Sequence, residues 1–270
     1  MIGKCDRIVG MKKIAFFDID GTLWDFKNFI PPSTIEAIRT FRNNGGLAFI
    51  NSGRARSYIV NPSLLGIGFD GLVCGCGTHV ELNGEILYQH LLSQEEVNYT
   101  TKIVRENQFR PIYEGPNHLY LDEDEFPVGD NFGDKIRREI SDTLLTITGQ
   151  KEIEANKLSC AIDTTEPNNC FRQLGHLYTF IIHTSTVVEM VPKGHSKATG
   201  IEKVCELLDV DIKNTYAFGD SENDLDMLKA AGQSIVMGNG TDRAKAVASY
   251  VTTDLYDDGI YNAMKYYSLI

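Results

Sequence analysis

Short apolar runs bounded by polar turns recur along the chain, and at both ends they alternate with segments of helical period. Lys13-Ile14-Ala15-Phe16-Phe17, Leu47-Ala-Phe-Ile50 and Gly71-Leu-Val-Cys74 lack polar alternation, which predicts strands covered on both faces. Thr215-Tyr-Ala-Phe218 and Ser234-Ile-Val-Met237 repeat that pattern near the C-terminus. Ser33-Thr-Ile-Glu36 has capping-box spacing and predicts a helix that Gly45 closes. Asp224 to Ala231, closed by Gly232, and Asp242 to Ser249 predict two more helices. Alternation of this kind builds a doubly wound α/β core, a parallel sheet with helices on both faces.

The middle of the chain has a different rhythm. Val80 to Tyr88 predicts a hairpin around Asn83-Gly84, the pair favoured where both turn residues need positive φ. Ser93-Gln-Glu-Glu96 is a second capping box and opens a helix to about Gln108. Strands are expected near Pro111–Tyr113, His118–Leu121, Ser159–Asp163 and Thr179–Met190, with a helix around Lys135–Ser141. The expected organisation is a smaller α+β domain, residues 92–189, inserted between the two halves of the core, residues 1–91 and 190–270. The first ten residues read as a loose tail.

Composition narrows the class. The 270 residues are 42% hydrophobic and 23% charged, an ordinary globular balance. A net charge of −11 argues against nucleic acid or an anionic membrane as partner, since both need basic patches. The N-terminal stretch is interrupted by Lys4, Asp6, Arg7, Lys12 and Lys13, unlike a signal peptide. No apolar run reaches membrane-spanning length. Cys5, Cys74, Cys76, Cys160, Cys170 and Cys205 are thinly spread, which suits a reduced, cytoplasmic protein.

Four polar clusters each follow a predicted strand or precede a helix. Asp18-Ile-Asp20-Gly21-Thr22 follows the first strand, at the carboxyl edge where open parallel sheets bind ligands. Two carboxylates there can divide attack from proton transfer. Asn51-Ser52-Gly53-Arg54 offers a hydroxyl and a backbone N–H beside a glycine, a small cradle for phosphate oxygens. Pro192-Lys193-Gly194-His195-Ser196-Lys197 puts lysines at a helix start, unfavourable for the dipole unless an anion sits there. Gly219-Asp220-Ser221-Glu222-Asn223-Asp224 returns carboxylates to the same edge. Converging carboxylates repel unless a cation neutralises them, and an oxygen-only set selects Mg²⁺. The rival, a calcium loop, lacks its alternating ligands and distal glutamate.

In this order the clusters resemble the haloacid dehalogenase (HAD) superfamily of phosphatases. The insert resembles the C2-type cap of its Cof-like, subclass IIB hydrolases. The resemblance runs over nearly the whole chain from about Lys13. It implies that Asp18 attacks phosphorus to form an aspartyl-phosphate, and that Asp20 protonates the leaving oxygen and then activates water. It further implies that Thr22, Ser52, Gly53 and Lys197 hold phosphoryl oxygens. Mg²⁺ would be bound by the Asp18 carboxylate, the Asp20 carbonyl and Asp220, with Asn223 and Asp224 orienting the lysine and metal waters. The expected substrate is a small phosphorylated metabolite, by analogy a sugar phosphate.

The chain departs from the family pattern twice: Cys74-Gly-Cys76-Gly77-Thr78 stands where many relatives have Asn-Gly after the third core strand, and Ala198 replaces a glycine after the lysine. Lys193 is a second, less well placed clamp candidate. Trp24 is expected to cover the site. His118, His176 and His183 fall in the insert, and Asp122 to Glu125 reads as a solvated loop. Cys74-x-Cys76 reads as structural rather than as a metal or redox pair. The alternatives left open are a phosphotransferase or mutase of the same fold, a non-catalytic binding protein, and a thiol redox protein.

Overall fold

A computed structural model describes residues 12–140 and 143–270. The expected N-terminal tail with Cys5, and Ser141, lie outside the described residues. Strand β1 (Ile14–Phe17) leads through helix α1 (Pro32–Asn43) to β2 (Leu47–Asn51), then through α2 (Pro62–Leu65) to β3 (Gly71–Cys74). The hairpin β4 (His79–Leu82) and β5 (Glu85–Gln89) follows. A second group runs α3 (Gln94–Glu106), β6 (Phe109–Glu114), β7 (Leu119–Tyr120), α4 (Asn131–Ile140) and β8 (Leu144–Leu145). It continues with β9 (Lys157–Ile162), α5 (Asn168–Leu174), β10 (Tyr178–Thr184) and β11 (Val187–Pro192). The chain then returns through α6 (Lys197–Leu208), β12 (Thr215–Gly219), α7 (Leu225–Ala230), β13 (Gln233–Val236), α8 (Asp242–Lys245), β14 (Tyr250–Val251) and α9 (Gly259–Tyr266).

The first sheet has the order β14-β13-β12-β1-β2-β3-β4-β5. It is parallel from β14 to β3, and β4 and β5 add antiparallel. All four side chains of β1 are buried, alternating between two cores: Ala15 and Phe17 face one, Ile14 and Phe16 the other. That two-sided burial is why the sequence shows an uninterrupted apolar run. The doubly wound core is therefore present as expected. The second sheet, β10-β11-β9-β6-β7-β8, is antiparallel apart from β7 and β8, and has its own cores.

Four expectations need correction. Helix α1 begins at Pro32 after Pro31 with no side-chain cap, so Ser33 does not cap it; proline's fixed φ organises the first turn instead. The stretch Thr179–Met190 is two strands, because the polar run His183-Thr-Ser-Thr186 turns the chain between β10 and β11. The helix from Asp242 ends at Lys245 rather than Ser249, since Ser249 is drawn to Ser234, donating its backbone N–H to Oγ at 2.8 Å. Asp122 is not solvated: it accepts from Thr148 and Arg105, and Glu125 accepts from the same guanidinium.

The chain leaves the first sheet after β5 and comes back after β11, and the two crossings run together. The rings of His90 and His195 stand 4.5 Å apart, and Tyr88 Oη lies 2.8 Å from His195 Nε2. Among the described residues no helix is long and apolar enough to cross a membrane.

Candidate active site

Parallel pairing of β1 with β12 and β2 brings three strand ends to one edge. Asp18 follows β1 directly and donates its backbone N–H to Phe218 O at 3.0 Å, which ties it to the end of β12. Gly21 turns the loop away at φ +87°, and a Cβ there would lie 2.5 Å from Asp220 Oδ2. Only glycine admits both the turn and the approaching carboxylate. Thr22 Oγ1 donates to Asp220 Oδ1 at 3.2 Å.

Lys197 is the first residue of α6, whose N-cap Ser196 accepts from Ala198 and Thr199. Asn51 Nδ2 donates to Lys197 O at 3.0 Å, docking the helix start against the end of β2. Lys197 Nζ, with the side chain 2% exposed, reaches Asp18 Oδ1 and Asp224 Oδ1, both at 2.6 Å. Asp224 Oδ2 accepts from the backbone N–H groups of Asp220 and Ser221 at 3.0 and 3.2 Å. Among the described residues Asn223 makes no hydrogen bond to the lysine; its Oδ1 accepts from Ser221 Oγ at 2.7 Å. Lys193 is exposed.

The electrostatics follow from this crowding. Burial, and then the Asp224 charge, push the Asp18 carboxyl up to about 8 against the pull of Lys197. Burial and Asp224 push Asp220 up to about 7. Burial disfavours the Lys197 ammonium, yet Asp18 and Asp224 hold it well above the usual lysine range. Asp18, Asp220 and Asp224 can each offer an oxygen within 4.8 Å of the others. With Asp224 committed to Lys197 and the backbone, Asp18 and Asp220 are the carboxylates left to face an ion. Strained, oxygen-only charge of this kind fits a hard divalent cation such as Mg²⁺.

Asp20 has a different environment. Arg54 grips it with two hydrogen bonds, Nη2 to Oδ1 at 2.8 Å and Nε to Oδ2 at 3.0 Å, and Trp24 Nε1 adds a third at 2.9 Å. Burial alone would raise the Asp20 carboxyl, but Arg54 and Trp24 hold it below its ordinary value. Trp24 is thus buried in the core beneath Asp20 rather than spread over the site. Ser52 Oγ accepts from the Arg54 backbone N–H at 3.1 Å. Together Asp18, Asp20, Ser52, Gly53 and Asn223 open onto a cavity of about 830 Å³, roofed by the second sheet.

That roof holds residues the sequence did not single out. Lys157 Nζ on β9 sits 2.7 Å from Glu114 Oε1 on β6 and 3.0 Å from Glu189 Oε1 on β11. All three are buried. Ser159 Oγ donates to Glu114 Oε1 at 2.5 Å, and Cys76 Sγ to Glu189 Oε1 at 3.3 Å. Of the three histidines of the insert, His183 lines the cavity and pairs with Glu189 Oε2 at 3.0 Å. Cys76 takes φ 54°, a left-handed conformation asparagine tolerates better. It is buried, as is Cys74, and both thiols are free. The available signal was a charge inside an apolar strand: Lys157 opens Lys-Leu-Ser-Cys-Ala-Ile, and Glu189 interrupts Val-Val-Glu-Met-Val. Arg54 belongs to the cluster Asn51-Ser52-Gly53-Arg54, but nothing in its spacing tells that it reaches Asp20.

The sequence model of the haloacid dehalogenase-like hydrolases matches residues 15–264. The chain belongs to that family. This haloacid dehalogenase-like hydrolase is 30% identical over 259 residues to "Putative phosphatase YkrA" of Bacillus subtilis (strain 168), covering 96% of this chain and 98% of that protein. It is 25% identical to the 5-amino-6-(5-phospho-D-ribitylamino)uracil phosphatase YcsE of the same organism, over 95% of this chain and 96% of that one. Among solved structures, the HAD subclass IIB sugar phosphatase BT4131 superposes with a TM-score of 0.80 at 27% identity, over 96% of this chain and 100% of its own. This haloacid dehalogenase-like hydrolase is accordingly a Cof-like phosphatase, a hydrolase of phosphoric monoesters, with a cap over its core.

Proposed function

We propose that the protein is a Mg²⁺-dependent phosphatase that hydrolyses a small phosphorylated metabolite, a sugar phosphate by class, through an aspartyl-phosphate on Asp18. The observation that carries this reading is the buried Lys197 ammonium held between Asp18 and Asp224 at 2.6 Å each, with Asp220 beside them. Such an arrangement leaves one cation fixed at the nucleophile and two carboxylates free for a second.

Lys197 takes Asp18 Oδ1, so the carboxylate is oriented before substrate arrives. An oxygen of Asp18 attacks phosphorus in line as the bond to the ester oxygen breaks. Asp20 gives a proton to that oxygen, then takes one from the water that cleaves the acyl phosphate. Because Arg54 stabilises the charged carboxylate, it favours the first transfer once Asp20 carries a proton, and it must loosen its grip for Asp20 to take a proton in the second. Ser52 and the Gly53 backbone cradle the transferring oxygens, and Lys197 neutralises part of their charge. Mg²⁺ held by Asp18, the Asp20 carbonyl and Asp220 would supply further neutralisation of the phosphoryl oxygens.

Asp18→Asn tests the reading. The variant is expected to fold, with an unchanged circular dichroism spectrum, and to lose hydrolysis of an aryl phosphate assayed with Mg²⁺. Near-full activity would overturn the nucleophile assignment.

A further inference from the structure

The cavity roof is built from charge where apolar side chains would serve the fold as well. Glu114, Lys157 and Glu189 are 6%, 2% and 5% exposed, and each sits on a different neighbouring strand of the second sheet. Burying three charges costs several kcal/mol per ion before pairing, and a packed apolar trio is often as stable. Their place is also specific. Glu189 Oε1 lies about 3.2 Å from where a Cβ on Gly53 would be, so the trio begins at the phosphate cradle itself.

Hydrogen-bond capacity is left over on residues that line the cavity. A lysine ammonium has three donors; two sides of Lys157 are occupied by Glu114 and Glu189. Glu114 Oε1 takes Lys157 and Ser159, whereas its Oε2 has no hydrogen-bond partner among the described residues. Both glutamate Oε1 atoms are therefore fixed, and a free acceptor and a free donor lie side by side on a rigid sheet. A hydroxyl group both donates and accepts, and so satisfies the two together. A carboxylate or second phosphate at that spot would meet two glutamates against one lysine. Of the other cations of the lining, Arg110 is spent on Asp163 and Asp130, Arg54 on Asp20, and Lys135 acts on Asp20 from α4.

We infer that Glu114, Lys157 and Ser159, braced by Glu189, form the subsite that reads hydroxyl groups on the carbons nearest the ester oxygen, which selects polyol and sugar phosphates over alkyl phosphates and over phosphates with a second anion close by. The inference rests on the phosphatase reading above and adds the residues and chemistry of leaving-group choice. A site built around hydroxyls rejects analogues lacking them because its buried polar groups are left unpaired.

The test uses the full chain with Mg²⁺ and compares kcat/KM within matched pairs. Ribitol 5-phosphate is expected to exceed n-pentyl phosphate by about 100-fold or more. In the second pair, 2-hydroxyethyl phosphate is expected to exceed phosphoglycolate by about tenfold. In Glu114→Gln the ribitol-to-pentyl ratio falls by about tenfold, chiefly through KM for the polyol. Ser159→Ala, which frees Glu114 to rotate, shifts the ratio the same way and stands in if the first variant does not fold. Wild-type ratios within about threefold of unity, or a large ratio that neither variant changes, would overturn the inference. If the wild type also fails to hydrolyse an aryl phosphate, the phosphatase reading itself falls; aryl turnover without hydroxyl preference sinks the subsite alone.

Discussion

Lys197 is the residue on which the centre balances. It is the shared counter-ion of two buried carboxylates, so removing it costs more than the lost contact. Lys197→Met is expected to lower the unfolding free energy by about 3–5 kcal/mol, measured by urea titration, and to abolish turnover. Lys197→Met with Asp224→Asn should recover part of that stability and none of the activity, because the uncompensated charge is removed while the clamp remains absent. Residues of this kind are legible in a sequence when they sit beside strand ends: Asp18, Ser52 and Asp220 follow buried runs, and parallel topology then brings them together. Arg54, Glu114 and Lys157 are not, because the charged groups they pair with lie more than 30 positions away and across a loop or sheet.

At the scale of elements, two helix starts separate stability from function. Ser93 caps α3 and Ser196 caps α6, each with a reciprocal box. Ser93→Ala and Ser196→Ala are each expected to cost about 1 kcal/mol in chemical denaturation. Only Ser196→Ala should also slow phosphatase turnover, since Lys197 is the next residue and its backbone is pinned by that cap. The Asn83-Gly84 hairpin and the Ser93 box were readable because turn and cap chemistry is local; both Asn83 and Gly84 take positive φ. Helix α1 was misread at its start because a cap signal at Ser33 competes with two prolines just before it. The strand pair β10 and β11 was blurred because both strands share β-branched composition, and only the polar residues between them mark the turn.

For the whole molecule, the tie between its two sheets is acid-sensitive. Burial would raise the Glu189 carboxyl, but Lys157 and His183 bring it down to about 2 from the ordinary 4.5. A depressed carboxyl contributes stability that is complete above 4.5 and vanishes as pH falls through about 2. The contribution is on the order of 3 kcal/mol. Unfolding measured along that descent should show the wild type losing its advantage over Glu189→Gln; a constant difference between the two would remove Glu189 from the acid response. The existence of two sheets was legible from the change of rhythm in the middle of the chain. The closeness of their approach was not, because Glu189 against Gly53 and Cys76 joins segments that share no pattern.

The close approach of the His90 and His195 imidazoles has one more consequence. Because the strand leaving one layer and the strand rejoining it pass within touching distance, everything threaded between them is a detachable loop in the topological sense. A bridge of a few residues from Gln89 to Ser196 would close the remaining chain without stretching it. What would remain is the first sheet with its carboxylates at one edge, without the roof that encloses the cavity.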